Sequence, residues 1–347
     1  MQLISSCYGL EKEHEPNNLK YLKTFYGLST LSLLFVQSLL EIGIGEGDLI
    51  DALQATPILC GSFHILCKCI NIMNNRETVK HILHKLDDLT SDILNNSEHY
   101  KYVEKTEKFN EKFSFYVIFV NLLIHPFALT FSLTSFYLSE SDQREFSFKI
   151  WMPWHHTEEI WTILLDMAYT FLVIMPAVFY AMINYIMLIT VTIRLSGLLR
   201  ILQIQFENKG LNSYSYKLHV NLIQLNRQYN NTFSQQMYLE IMIGSFQPIG
   251  FGILIIKAIK NNDLRIIDLG FKAFIAILLP FLLCACGEEI EKQFEKLHDS
   301  AYFYPWYKQD VKSRKLTTIL LTVTSNPKAW NYTTLMKINL LCFSTVK

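Results

Sequence analysis

The stretch IWTILLDMAYTFLVIMPAVFYAMINYIMLITVTI, residues Ile160 to Ile193, contains a single charged side chain, Asp166. A helix that crosses a hydrocarbon core of roughly 30 Å needs about 20 largely apolar residues. No soluble helix requires apolar surface all round over such a length. Comparable blocks lie on either side of it, at Gly27–Gly45, Ile50–Met73, Phe113–Leu138, Met237–Ile256 and Ile266–Cys286. A seventh block, Leu316–Val346, is interrupted by Asn326-Pro327-Lys328. The pattern predicts an all-α, polytopic membrane protein with seven transmembrane helices.

Composition supports the same class. Of 347 residues, 50% are hydrophobic and 18% charged, against about 25% charged in an ordinary soluble domain. Thirteen glycines and nine prolines supply too little turn chemistry for a barrel of many short strands, or for a collagen-like or disordered chain. The 31 basic and 31 acidic residues cancel, so no net field recruits nucleic acid. The first 26 residues carry Lys12, Lys20, Lys23 and the Glu11, Glu13, Glu15 cluster without an apolar core, which argues against a cleavable signal peptide.

Orientation follows from lysine and arginine. Lys12, Lys20 and Lys23 precede the first block; Arg76, Lys80, Lys85, Lys101, Lys105, Lys108 and Lys112 lie between the second and third. Arg194, Arg200, Lys209, Lys217 and Arg227 lie between the fourth and fifth, and Lys292, Lys296, Lys308, Lys312, Arg314 and Lys315 after the sixth. The opposite side collects Arg144, Lys149, Lys257, Lys260, Arg265 and Lys272, so the division is twenty-one to six. A cytoplasmic amino terminus is expected, with the carboxyl terminus outside. A G-protein-coupled receptor runs the other way, and Asn326-Pro327-Lys328-Ala329-Trp330 has tryptophan where that class's NPxxY has tyrosine.

The segments on the cytoplasmic side carry helical faces. Ile82, Leu86, Leu89 and Ile93 form one, Leu218, Leu222, Leu225, Tyr229 and Phe233 a second, and Ile290, Phe294, Leu297 and Ala301 a third. Spanning helices that continue into the cytoplasm and pack together there explain all three; helices lying on the membrane surface are the competing reading.

Catalytic chemistry finds no support. HExxH, GxSxG and P-loop patterns are absent, and Gly43-Ile44-Gly45-Glu46-Gly47 follows no strand. Cys60, Cys67, Cys69, Cys284, Cys286 and Cys342 fall in apolar blocks and Cys7 in the tail, so no disulfide framework is expected outside. His155-His156-Thr157-Glu158-Glu159 offers ligand-type side chains, yet adjacent loop residues rarely converge on one ion. No metal, no cofactor and no enzyme activity are expected. Among intramembrane polar groups, Glu41, Asp51, His64, Lys68, Asp166, Glu240, Asp268 and Lys272 lie mostly near segment ends, where charged side chains snorkel. Asn121, His125 and Asn184 lie deeper. A small-solute transporter would need paired broken helices or several deep charges.

From Cys284 onward the chain resembles the insect odorant receptor family. The residues are Cys286-Gly287-Glu288, Ala301-Tyr302, Trp306-Tyr307, Arg314-Lys315 and Asn326-Pro327, with Phe343 and Val346-Lys347 in the tail. Trp151-Met152-Pro153-Trp154 ahead of the long fourth helix is similar too. Gustatory receptors share the architecture, but their TYxxxxxQF motif is missing. The resemblance implies a ligand-binding subunit of a non-selective cation channel, assembled with a shared co-receptor in the plasma membrane of olfactory sensory neurons. It implies a small volatile ligand, a cytoplasmic anchor, and a seventh helix at the pore. The organisation expected is a cytoplasmic tail over 1–26, six transmembrane helices over 27–286, an anchor helix over 287–325 and an incomplete seventh, pore-side helix over 326–347. The family continues for roughly one further helical stretch, so a truncated, non-conducting product is the alternative. Anchor residues are expected at Phe294, Leu297, Ala301, Tyr302, Trp306 and Tyr307. In the outer halves of the helices, Thr56, Phe131, Ser135, Phe136, Met167, Phe171 and Phe274 are the expected ligand-binding residues. Aromatic rings and methionine supply adaptable contact area, and the two hydroxyls one hydrogen bond each.

Overall fold

The computed structural model describes residues 17–44, 49–96, 101–116, 119, 151–152, 160–210, 212–260, 266–325, 329–333 and 336–345. In chain order these form α1 (Asn17–Ile44), α2 (Leu49–Asn74), α3 (Arg76–Asn96), α4 (101–116) and α5 (Ile160–Tyr169). A π-helical turn (Thr170–Ile174) leads into α6 (Met175–Lys209), followed by α7 (Ser213–Lys260) and α8 (Ile266–Phe303). A 3-10 turn (Trp306–Lys308), α9 (Val311–Thr324), an antiparallel ribbon of β1 (Asn331–Tyr332) and β2 (Met336–Lys337), and α10 (Leu340–Thr345) complete the described chain.

Five described stretches are long and apolar enough to cross a membrane: Thr24–Ile44, Ala55–Asn74, Phe171–Asn208, Ser213–Lys260 and Leu269–Phe303. They match the first, second, fourth, fifth and sixth blocks of the sequence. The third block lies outside the described residues beyond the end of α4, apart from Phe119.

Helix length decides the rest of the architecture. α6, α7 and α8 have 35, 48 and 38 residues. At 1.5 Å per residue they run about 50 to 70 Å, against a hydrocarbon core of roughly 30 Å. Two compact units result. One comprises Met1–Asn74, Phe115–Tyr185 and Leu239–Pro280; the other comprises Asn75–Ser114, Ile186–Tyr238 and Phe281–Lys347. Helices α4, α6, α7 and α8 contribute residues to both.

In the first unit, proline and glycine set the local geometry. Pro176 has no N–H to give the carbonyl four residues back, that of Leu172, and the π-helical turn ends just before it. The Tyr26 hydroxyl donates to the Leu172 carbonyl at 2.5 Å, replacing the missing partner where lipid offers none. Gly27 makes room for this approach, since a Cβ there would meet the Tyr180 ring at 2.4 Å.

The second unit is built around an apolar core. Ile82, Leu86 and Ile93, then Leu218, Leu222, Leu225, Tyr229 and Phe233, then Ile290, Phe294, Leu297 and Ala301 are all buried. The three amphipathic faces are therefore packing surfaces within this unit. Fully burying one such side chain contributes about 1.5–3 kcal/mol. A buried cation joins three of its helices. Arg194 on α6 forms a two-pronged pair with Glu107 on α4, Nε to Oε1 at 2.9 Å and Nη2 to Oε2 at 2.7 Å. Its Nη1 donates to Asp87 on α3 at 3.0 Å.

The carboxyl-terminal stretch departs from the expected anchor helix and incomplete seventh helix. Residues 287–325 are the end of α8, the 3-10 turn and α9, because Pro305 breaks the helix and Asp310 caps a new one through the amides of Lys312 and Ser313. Beyond Thr324 the described residues form the ribbon and then α10. Specific contacts hold the ribbon. Trp330 is fully buried, and its Nε1 donates to Asn226 Oδ1 at 2.8 Å. Asn230 and Asn331 exchange two hydrogen bonds of 2.9 Å. Lys337 Nζ reaches Glu291 Oε1 at 2.6 Å, and that carboxylate holds the Lys337 ammonium above its ordinary pKa. Gly287 is required beneath this segment, since a Cβ would lie 2.0 Å from the Ile338 carbonyl oxygen.

Buried and exposed ion pairs on α4 should differ sharply in energy. Arg194→Ala leaves the largely buried Glu107 carboxylate without its partner and is expected to cost about 3 kcal/mol, whereas Lys108→Ala breaks an exposed pair with Glu104 and should leave the midpoint nearly unmoved. Thermal unfolding of the detergent-solubilised variants, followed by monodispersity, measures the contrast. Equal midpoints would refute it.

Candidate functional site

The expected ligand-binding residues occupy three situations. Phe131, Ser135 and Phe136 lie outside the described residues, and Met167 lies in α5 with its side chain outside them. Thr56 is half-buried on α2, directly before the buried Pro57. Phe171 and Phe274 expose 50% and 58% of their surfaces. Phe171 sits within the π-helical turn, next to the carbonyl clamped by Tyr26. Such a turn widens the helix locally and redirects the side chains on it. The presence of Pro176 in the deciding stretch was the available signal for it.

A polar cluster in the same unit departs from the snorkelling expected of charges near segment ends. His64 and Lys68, one turn apart on α2, face Glu240 on α7 and Tyr185 on α6. Lys68 Nζ lies 2.5 Å from Glu240 Oε2 and 4.3 Å from the centre of the Tyr185 ring. His64 Nε2 is 3.7 Å from the same carboxylate oxygen. Lys68, Glu240 and His64 are 9%, 4% and 6% exposed, so these side chains do not snorkel. They pair inward. His64 Nε2 and Glu240 Oε1 have no hydrogen-bond partner among the described residues. Position along an apolar segment shows only that a charge is near the end; which neighbour it meets depends on helix rotation, which the sequence pattern left open. Asn184, expected to lie deep, is buried and donates to the Tyr180 carbonyl of its own helix at 2.7 Å.

This arrangement is an ion pair with a cation–π contact that ties α2, α6 and α7. It is suited to fixing or switching the relation of those helices and contains no nucleophile–base set. Among the described residues no group of three or more His, Cys, Asp or Glu converges as a metal site; His155 and His156 lie outside them.

The expected anchor residues divide into two sets. Phe294, Leu297 and Ala301 are fully buried within the second unit. Tyr302 and Tyr307 are 60% and 62% exposed, with Phe303 at 79% beside them and Trp306 half-buried. The rings pair edge to face, Tyr302 with Phe303 at 5.4 Å and Trp306 with Tyr307 at 6.3 Å. The inner set holds α8 in place, and the outer set offers an aromatic surface.

The ion pair makes a double-variant test possible. Lys68→Met alone leaves Glu240 buried and uncompensated and should cost about 3–5 kcal/mol, while Lys68→Met with Glu240→Leu should recover most of that loss. Surface expression and thermal midpoints of the single and double variants check this. A double variant no better than the single would contradict the pairing.

Comparison with known proteins accords with this architecture. The family model described as "7tm Odorant receptor" matches residues 48–347. Among curated protein sequences none matches the chain. Among solved structures, the insect olfactory receptor OR5 from Machilis hrabei is similar at TM-score 0.78 and 14% identity, over 99% of this chain and 91% of that one. The same receptor in complex with eugenol is similar at TM-score 0.77, with the same identity and coverage. At that identity the likeness establishes the fold, an all-α polytopic membrane protein, and the family match establishes kinship. The chain belongs to the odorant receptor family, whose members are receptors and not enzymes.

Proposed function

We propose that this odorant receptor is the ligand-binding subunit of a heteromeric, non-selective cation channel, opened by a small volatile molecule and assembled with a shared co-receptor in the plasma membrane of olfactory sensory neurons. The observation that carries the reading is the family match across residues 48–347. The fold it shares with a receptor solved in complex with eugenol supports a volatile ligand. The distribution of lysine and arginine supports a cytoplasmic position for the second unit. The exposed Tyr302, Phe303 and Tyr307 rings support subunit contact there, since aromatic residues are enriched at the centres of interfaces.

Thr56, Phe131, Ser135, Phe136, Met167, Phe171 and Phe274 are the proposed ligand-binding residues. Phe171 and Phe274 support this by presenting half or more of their rings. Thr56 and Ser135 would each supply one hydrogen bond to an ester, alcohol or carbonyl. The chain's part in gating would be to convert occupancy by the ligand into a shift between two helix arrangements, which requires different affinities for the two.

Co-expression with a co-receptor and current recording under a panel of volatiles tests the reading. Ligand-evoked, non-selective currents are expected only when both chains are present. Loss of one ring contact of about 1.5 kcal/mol or more means that Phe171→Ala should raise the half-maximal ligand concentration roughly tenfold, with surface labelling unchanged. Unmoved dose–response curves for alanine at Phe131, Met167 and Phe171 would place the pocket elsewhere, and no current with any volatile would overturn the function.

A further inference from the structure

Helix α4 presents a face that neither the ligand site nor the core uses. At about 100° per residue, Lys101, Lys105, Lys108 and Lys112 fall within roughly 60° of one another around the axis. Phe115, Tyr116 and Phe119 continue the same stripe toward the carboxyl-terminal end. All four lysines are exposed, and with Phe109 and Glu104 they line a shallow groove of about 420 Å³. Phe115, Tyr116 and Phe119 are 63%, 61% and 46% exposed. Their rings contact one another, Phe115 with Tyr116 at 6.2 Å and Phe115 with Phe119 at 5.9 Å.

The charge of this face is not cancelled within the chain. Glu104 pairs with Lys108 at 2.6 Å, and Glu107 is taken by Arg194. Glu111 is exposed at the edge of the stripe. Among the described residues, Lys101, Lys105 and Lys112 make no ion pair. Four ammonium groups thus face the groove against the one carboxylate that lines it. The order along the axis is equally specific: the lysines come first, then the third apolar block from Phe113, whose opening turns carry the three rings. Aromatic rings prefer the headgroup level of a bilayer, and basic residues just outside a spanning helix attract anionic headgroups.

We propose that the lysine face of α4 binds the headgroups of anionic phospholipids. A helix that enters the bilayer at its carboxyl-terminal end sets Phe115, Tyr116 and Phe119 in the interfacial layer. Lys112 and Lys108 lie one to two turns below, about 5–10 Å along the axis, within reach of phosphate and carboxylate groups. Lys101 and Lys105 lie a further turn or two away and act through the field, over a distance comparable with the Debye length of about 8 Å. An acidic protein segment would match the lysines but would not explain the aromatic continuation of the same stripe. Such headgroup binding does not depend on channel activity.

The test uses the full chain in phosphatidylcholine bilayers with trace spin-labelled lipid, and measures the association of labelled phosphatidylserine relative to labelled phosphatidylcholine at the protein surface. One juxtamembrane lysine contributes about 1 kcal/mol, or roughly fivefold. A preference for phosphatidylserine of about fivefold or more is expected at low salt, collapsing toward one in 1 M salt. Lys108→Gln with Lys112→Gln should remove most of it, and Lys101→Gln with Lys105→Gln should remove less. Glu104→Gln should raise it, an increase that misfolding would not produce. A ratio near one in the native chain would overturn the proposal, as would a preference undiminished in the Lys108/Lys112 variant. Lysine-dependent binding of soluble polyglutamate without any preference for phosphatidylserine would reassign the face to an acidic protein partner.

Discussion

The mismatch between helix length and bilayer thickness governs this chain. A hydrocarbon core of roughly 30 Å accommodates about 20 helical residues, and α6, α7 and α8 have 35, 48 and 38. Where such a helix leaves lipid, its apolar face meets water and must be buried again. Leu218 to Phe233 on α7 and Ile290 to Ala301 on α8 do this in the second unit. Within lipid the same helices gain nothing from apolar contact, so packing there depends on close approach and on polar pairs. Gly27 against Tyr180 and Tyr26 against the Leu172 carbonyl illustrate those two devices.

Among the described residues, the ion pairs around Arg194 in the second unit and around Lys68 in the first differ in kind. Arg194 in the second unit has every partner it needs: a two-pronged carboxylate and a second acid. Such a site rigidifies the elements it joins. The Lys68–Glu240 pair in the first unit leaves Glu240 Oε1 and His64 Nε2 without partners among the described residues. Ionisable groups in a membrane segment are costly and tend to face one another or a cavity.

Much of the architecture was legible in the sequence because lipid and water impose opposite patterns. Unbroken apolar runs marked the spans at α1, α2, α6, α7 and α8, and steps of three and four marked faces that the structure buries to the last residue on α7 and α8. Charge pairing was less legible. Lys68 and Glu240 are 172 positions apart, and nothing in either local sequence distinguishes a snorkelling side chain from one aimed inward. The ribbon at 331–337 escaped for a related reason: its strands have two residues each, too short for any period, and it is held by Trp330, Asn230 and Glu291 through tertiary contacts. The family motifs from Cys286 to Pro327 identified the lineage, but the expected binding residues rested on which half of each helix they occupy.

The long helices α6, α7 and α8 stay intact over more residues than a bilayer accommodates because protein packing continues around them. Hydrogen exchange of the full chain in lipid nanodiscs tests this directly, since exchange reports opening of individual backbone bonds. Slow exchange without a break is expected from Tyr185 through Phe206 on α6, from Leu218 through Glu240 on α7, and from Phe281 through Ala301 on α8. Fast exchange over 190–206, 218–233 and 287–301, with protection confined to about 20 residues per helix, would contradict it.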